Sequence, residues 1–250
     1  MTKIAFRAGL AAVATASMLL SGCGGSDSAE PKGGTATTAA SQAPADNGVA
    51  ALAAEEILTK AKDALTKAGS FHMAGAATTD GETMSLDFKV SGKDFAGKMS
   101  MGKDAEVEIL SVGGKQYMKP SEGFWAMIAG AEQAKTMVKA TGGKWVLVPA
   151  KDQISGLFAA ADVNELLKPG GALSKGEATK VGEQPVITLK DASDADSQVF
   201  VATTGEPYPV RIGSSATGEG VTFSKFGEKF DADIKAPAAD QVIDQASLGK

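Results

Sequence analysis

The spacing of apolar residues changes several times along the chain. From Leu52 to Ala68 it is helical, with Asp46 or Asn47 as the predicted cap and Gly69 as the predicted left-handed stop. The period then changes to two over residues 71–77 and 83–90, and an Asp-Gly turn signal at 80–81 lies between these runs. Further short strands are predicted at 95–101, 106–112 and 115–119. This first half is typical of an antiparallel meander.

The middle of the chain is helical again. Residues 124–140 place their apolar side chains along one broad face, which predicts a single helix that ends at 142–143. A short strand at 144–148, a helix capped by Asp152 and a capping box from Asp162 to Glu165 follow. The remaining strands are predicted at 178–181, 186–190, 198–204, 209–214, 221–226 and 231–235. The order predicts an α+β fold, with one curved antiparallel sheet and helices segregated to one side.

The amino terminus has the pattern of a processing signal. Two basic residues precede an apolar run at 8–20, which is shorter than the ~20 residues that a helix needs to cross a bilayer. Leu20-Ser21-Gly22-Cys23 follows at once and matches a bacterial lipobox. We therefore expect residues 1–22 to be a lipoprotein signal peptide and Cys23 to be lipidated, with the protein held on the extracytoplasmic face of the cell membrane. An ordinary secretory signal with an incidental cysteine is the alternative.

Residues 23–48 are rich in Gly, Ser, Thr, Ala and Pro and contain almost no large apolar side chain. Such a segment cannot bury enough surface to offset the entropy lost on ordering. We expect a flexible, lipidated tether with a reach of roughly 25–30 Å. One monomeric domain at 49–245 is predicted to follow it.

Composition excludes several classes of function. With 25 Lys and Arg against 30 Asp and Glu, the formal net charge is −5, which does not favour nucleic acid as a partner. One Cys and one His exclude a disulfide framework and a zinc site built from several such ligands. Asp191, Asp194 and Asp196 lack the ligand order of a calcium loop. No metal site is expected.

Catalytic motifs fail on particular residues. Residues 92–99 have the spacing of a P-loop, but Met99 stands where a hydroxyl must hold magnesium. No Gly-x-Ser-x-Gly motif occurs, and His72 lies on the strand face opposite Phe71 and Met73. A solvated surface histidine is the preferred interpretation. The sequence therefore predicts neither an enzyme nor a cofactor other than a bound lipid or fatty acid.

Methionine is concentrated in one part of the chain. Apart from Met1 and Met18, all methionines lie between residues 73 and 137, and several fall on the apolar faces of predicted elements. Flexible thioether side chains suit a surface that accepts acyl chains, although such a stripe is more often ordinary core packing than a pocket. With only two Trp, two Tyr and ten Phe in the chain, we expect the sheet to lack the bulk to fill its own concavity. The candidate lipid-pocket residues are Met84, Leu86, Phe88, Met99, Met101, Ile109, Met127, Met137 and Trp145.

Short motifs in chain order resemble a known family. They are KAGSFH at 67–72, KQYMK at 115–119, GKWVLVP at 143–149, EPYPVRI at 206–212, VTFSKFG at 221–227 and APA at 236–238. Together they resemble the LppX/LprG group of actinobacterial lipoproteins over residues 50–243. The resemblance implies a LolA-like half-barrel with helices over its concave face, and an apolar cavity for the acyl chains of lipids or glycolipids in transit through the envelope.

Two functions follow as hypotheses. In the first, the anchored domain binds lipid or glycolipid acyl chains in an apolar cavity and serves envelope lipid transport. In the second, the same fold is filled by its own side chains and acts as a non-catalytic adaptor or sensor that binds another protein. The size of the cavity separates them, because a ligand with acyl chains needs an apolar cleft of several hundred Å³.

Overall fold

Twelve strands form one sheet in the part of the chain that the structure describes, which is residues 45–79, 81–149, 153–194 and 197–245 of a computed structural model. The strands are β1 (Ser70–Thr79), β2 (Glu82–Ser91), β3 (Asp94–Met101), β4 (Ala105–Val112), β5 (Lys115–Pro120), β6 (Trp145–Val148), β7 (Leu173–Val181), β8 (Gln184–Asp191), β9 (Gln198–Ala202), β10 (Pro209–Gly213), β11 (Gly220–Ser224) and β12 (Val242–Asp244). Their order across the sheet is β12-β6-β5-β4-β3-β2-β1-β11-β10-β9-β8-β7. The sheet is curved and unclosed, since β12 and β7 lie at opposite edges.

Few helices accompany the sheet. They are α1 (Ala54–Ala68), α2 (Glu122–Ala129), α3 (Ala131–Thr141) and α4 (Val163–Leu166), with 3₁₀ helices at Val49–Ala51, Gln153–Ala161 and Ala239–Gln241. The predicted sequence of helix, strands, helices and strands is confirmed, as is the α+β class. All strand pairs are antiparallel except β12 with β6, which is parallel.

The first hairpin follows the predicted register. β1 ends at Thr79, β2 begins at Glu82, and Thr79 pairs with Glu82. Gly92 has a φ of 60° and Gly102 a φ of 65° in the next two turns, a left-handed conformation that glycine adopts without a steric penalty. Strong period-two alternation and short glycine turns therefore produce the meander from β1 to β5.

Helix α1 starts later than its pattern predicts. Asp46 forms a bridge with Thr204, and the Asn47 Nδ2 amide donates to the carbonyl oxygens of Ala202 and Gly205, both at 3.0 Å. These side chains are therefore not caps of α1, which begins at Ala54. The predicted stop is confirmed, because Gly69 has a φ of 73° and its N–H donates to a carbonyl in the last turn.

The single helix predicted at 124–140 is two helices. Gly130 has a φ of 87° and ends α2 before α3 begins at Ala131. Ser121 caps α2, with its Oγ accepting from the Phe124 N–H at 3.1 Å. Met127 and Ile128 of α2 are exposed whereas Met137 and Val138 of α3 pack against the core, so these residues do not share one continuous buried face.

The strand predicted at 231–235 is wrong. After β11 the chain crosses the sheet as a strap, residues 227–238, and then forms β12 against β6. The Gly227 N–H donates to the Ser70 carbonyl at 2.8 Å, and Lys89 Nζ lies 2.6 Å from an Asp233 carboxylate oxygen. The strap is held by these side-chain and turn contacts instead of a strand ladder.

Helix α1 shares its core with the sheet. Its residues Ile57, Leu58, Ala61 and Leu65 are buried and belong to the same hydrophobic cluster as Phe88, Met118 and Val146 of the strands. Apolar burial at about 25 cal/mol per Å² is the main stabilising contribution to such a core.

Candidate functional site

One face of the sheet is apolar across most of its width. Directly paired residues lie on the same face, and the register aligns Phe223, Met73, Phe88 and Gly97, and then Ile109, Met118 and Val146 on the following strands. We call this the apolar face. It is the face against which the main core cluster forms.

The structure brings six of the nine candidate pocket residues together on this face or against it. Phe88, Met99 and Ile109 are buried in the core cluster. Leu86, Met101 and Met137 are half-buried and pack against that cluster. These side chains therefore pack with one another in the core or against it.

The other three candidates are not part of this cluster. Met84 is on the apolar face, paired with Met101, but is 47% exposed, and Met127 is 51% exposed beside Ile128 on α2. Trp145 is on the opposite face, because its neighbour Val146 is paired with Met118 and successive strand residues alternate. The alternation of buried Val146 and Val148 in β6 was the signal that separates Trp145 from the pocket residues.

A cleft of about 710 Å³ opens at one end of the apolar face. Its lining residues are Lys62, Leu65, Thr66, Gly69, Phe71, Val90, Gly92, Lys93, Phe95, Ser111, Gln116, Phe158, Ala159, Ala161, Asp162, Val163 and Asn164. None of the nine sequence candidates is among them. The volume lies within the range of roughly 300–1,000 Å³ that small-molecule sites occupy.

Three elements surround this cleft. The last turns of α1 form one side, the β2–β3 turn forms the second, and the segment at 153–167, which we call the cover segment, forms the third. The floor is aromatic: the Phe95 ring lies 5.8 Å from Phe88 and 6.1 Å from Phe158, measured between ring centroids. The cleft is therefore an extension of the apolar face where the covering elements do not meet.

Sequence reasoning missed these floor residues although the signal was present. Phe71 and Val90 are paired across β1 and β2, and Val90 is paired with Phe95 across β2 and β3. All three obey the same alternation that selected Phe88. The alternation does not predict the position of the cover segment, and that position decides where the cleft remains open.

Hydrogen bonds fix α4 and the turn that follows the cover segment. The Asp162 carboxylate accepts from the Asn164 N–H at 2.9 Å and caps the helix. Beyond α4, Asp191 accepts from the Gly170 N–H at 2.6 Å and from Ser193 N–H and Oγ at 2.8 and 2.6 Å. The Ser193 hydroxyl, followed by its amide, lowers the pKa of Asp191 to about 2, since these donors stabilise the carboxylate.

On the opposite face, His72 joins two neighbouring strands. Its Nδ1 lies 3.3 Å from Ser224 Oγ, and its Nε2 lies 2.9 Å from Asp87 Oδ1. The residue types match a hydrolytic triad, but the ring nitrogens are exchanged relative to that arrangement, in which the carboxylate holds Nδ1. The prediction that His72 lies opposite Phe71 and Met73 is confirmed by the strand pairing.

A second depression, of about 450 Å³, lies between the sheet and the strap. Trp145 and Leu110 are among its apolar residues, and Lys89, Glu108 and Asp233 are among its charged residues. Lys89 is already paired with Asp233, which closes one side of this depression. It is smaller than the cleft at the end of the apolar face, and charged residues of both signs line it.

Among the described residues, no three His, Cys, Asp or Glu side chains are grouped so that they could hold a metal ion. Within the same ranges, none of the helices combines the length and the apolarity needed to span a bilayer. The predicted signal peptide, Cys23 and most of the predicted tether lie outside the described residues.

Comparisons with known proteins give little further information. No family model matches the chain, and no curated protein matches it. Among solved structures it is similar to an uncharacterized conserved protein from Thermus thermophilus, with 12% identity over 77% of this chain and 99% of that chain and a TM-score of 0.39.

Proposed function

We propose that this protein is a membrane-anchored, exported lipoprotein that binds the acyl chains of lipids or glycolipids for transport through the cell envelope. The cleft at the end of the apolar face is the binding site. No catalytic step and no metal are part of this function, and the only bound group is the lipid or fatty acid itself.

One observation carries the proposal: a cleft of about 710 Å³ has a floor of Phe71, Val90, Phe95 and Phe158 and is continuous with the core. Hydrocarbon placed there removes apolar area from water at about 25 cal/mol per Å², or roughly 0.8 kcal/mol per methylene. This contribution depends on chain length and little on chain identity, so broad chain specificity is expected.

The architecture supports the same interpretation. A curved, open sheet with α1 in the core of its apolar face fits a LolA-like half-barrel with helices over the concave face. The sequence motifs that resemble the LppX/LprG group imply that arrangement. Membership of this group is part of the proposal.

The anchor and the binding domain are separate parts of this proposal. Cys23 carries the lipid anchor, and residues 24 to about 45 give the domain its reach. Replacing Cys23 by Ala should release the protein from membranes and leave acyl-chain binding unchanged. Loss of both properties together would contradict the separation.

The first experiment is mass spectrometry of the full-length protein extracted mildly from its native host, in which co-purifying lipid is expected.

The second experiment fills the cleft with a larger side chain. Ala159 is exposed and lines the cleft, so Ala159→Trp should weaken binding of a fluorescent acyl probe at least tenfold. Ala140→Trp, at an exposed position of α3 outside the cleft, is the matched control and should bind normally. Lipid-free extracts together with no binding of added probe would refute the proposal.

A specific observation favours a second candidate, the envelope adaptor or sensor that binds another protein. Phe88, Met99 and Ile109 are buried in the core cluster, and Met127 and Ile128 are exposed side by side on α2, at 51% and 45%. Adjacent exposed apolar side chains are a feature of protein-binding surfaces. If Ala159→Trp leaves the protein's envelope function intact while Met127→Ser with Ile128→Ser abolishes it, this second function replaces the first.

A further inference from the structure

The lining of the cleft differs in charge from the protein as a whole. Its lining contains two basic residues, Lys62 and Lys93, and one acidic residue, Asp162. The chain as a whole has a formal net charge of −5. A local excess of positive charge on an acidic protein therefore coincides with the opening of the apolar cleft.

The two lysines are available for a ligand. Within the described residues, neither Lys62 nor Lys93 forms an ion pair, whereas Lys67, Lys89 and Lys98 all do. Lys62 is half-buried on α1 and Lys93 is exposed in the β2–β3 turn, so they reach the cleft from two different elements. The acidic residue at the mouth already accepts a hydrogen bond, because Asp162 caps α4.

We propose that the cleft selects amphiphiles with an anionic head group, a phosphate or a carboxylate, which Lys62 and Lys93 bind while the hydrocarbon chain lies on Phe71, Phe95 and Phe158. This inference rests on the proposed function and names its ligand class. Lysine ammonium groups on flexible stems pair with a phosphate or carboxylate as point charges without requiring one fixed geometry. The hydrocarbon supplies most of the affinity and the lysines supply the discrimination.

The test compares two probes that differ by one phosphate, 1-oleoyl-lysophosphatidic acid and 1-monooleoylglycerol, both below their aggregation concentrations. Each exposed ion pair contributes modestly, so the anionic probe should bind about three- to thirtyfold more tightly to the natural protein. That preference should decrease when the ionic strength rises from about 0.01 M to about 0.15 M, because the screening length shortens from about 30 Å to about 8 Å.

The variant Lys62→Gln with Lys93→Gln should lose the preference and keep its affinity for the neutral probe. Lys60→Gln with Lys103→Gln is the matched control, since it also changes one residue of α1 and one residue of a glycine turn, outside the cleft lining. The control should retain the preference. Inorganic phosphate alone at the same concentration should displace neither probe.

The outcomes separate this inference from the proposed function. Equal binding of the two probes to the natural protein would overturn the inference and leave the lipid-binding function standing. Displacement by inorganic phosphate would also overturn it, since the site would then serve small anions. Failure of both probes to bind would contradict the proposed function itself.

Discussion

The centre and the end of the apolar face differ in what they do with similar residues. At the centre, Phe88, Ile109 and Met118 are fully buried members of one core cluster. At the end, Phe71 and Phe95 are also buried, but one side of them borders a cleft of about 710 Å³. The pattern of apolar residues along a strand therefore does not distinguish a packed core from a binding cleft.

Two features produce this difference: the residue beside each ring within the sheet, and the elements that cover the sheet. Gly97 lies opposite Phe88, and a Cβ there would collide with the Asp87 carbonyl and with the Phe88 ring, so glycine leaves room for the ring to fill the centre. At the end of the face, the covering is divided among α1, a turn and the cover segment, which leave a gap. Close packing at the centre and incomplete cover at the end thus occur on the same strands.

The largest effect is expected from emptying the centre. Phe88→Ala removes a fully buried ring that contacts Phe95, and it should lower the free energy of unfolding by about 3–5 kcal/mol. Urea unfolding followed by circular dichroism measures this change. Met84→Ala, at a position of the same strand that is 47% exposed, should change stability by less than about 0.5 kcal/mol. A loss below about 1 kcal/mol for Phe88→Ala would mean that the centre is not packed as described.

A smaller loss of stability is expected at the end of the face. Phe158 is buried but borders the cleft, so it has packing partners on fewer sides, and Phe158→Ala should cost about 1–3 kcal/mol. It should also weaken acyl-probe binding, because the chain loses part of its aromatic floor. The same unfolding experiment with a probe titration checks both effects. A stability loss equal to that of Phe88→Ala would remove the distinction between the two regions.

The sheet could be predicted from the sequence because its information is local. Period-two alternation with Gly turns defines β1 to β5, and the Gly69 stop of α1 is where the pattern placed it. The prediction of a strand at 231–235 was wrong because a short alternating pattern also occurs in the irregular strap. There Asp233 forms an ion pair with Lys89. β12 was missed since three residues carry too little periodicity.

The cleft could not be placed from the sequence for a different reason. The strand methionines lie on the apolar face, as predicted, but the free space depends on where the cover segment ends. The turn that follows this segment is held by Asp191, which is a contact between distant residues. Met127 was assigned to the pocket through a helix that Gly130 divides. The pattern of residues along the chain predicts which face of a helix or strand is buried. The position of a cavity depends on how these elements pack against one another.

The boundary between the two regions gives a third, smaller prediction. Gln116 is paired with Val148 on the apolar face and lines the cleft, and its Oε1 is buried with no hydrogen-bond partner in the described part of the chain. Leaving such an acceptor unpaired costs about 1–3 kcal/mol, so Gln116→Met, of similar volume, should be neutral or stabilise the fold by up to about 1 kcal/mol. Thermal unfolding detects this change. Destabilisation by more than about 1 kcal/mol would contradict this prediction, because it would mean that the Gln116 amide makes a stabilising interaction.

The smallest effect concerns the anchor of the cover segment in acid. The pKa of Asp191 is about 2, below its usual value near 3.8, because the Ser193 hydroxyl and amide and the Gly170 amide donate to its carboxylate. A folded-state pKa below the unfolded one means that the carboxylate stabilises the fold above about pH 4, and that this contribution is lost as the pH falls toward about 2.

Asp191→Asn should remove this part of the acid dependence and speed amide exchange at Gly170, whereas Asp63→Asn on the exposed side of α1 should leave both unchanged. Carboxyl carbon chemical shifts between about pH 1.5 and about pH 5 give the titration directly. If Asp191 titrates near its ordinary value, the anchor is weaker in solution than its geometry indicates. The cleft end would then be held by apolar contacts of the cover segment, and its difference from the packed centre would lie in shape and not in polar anchoring.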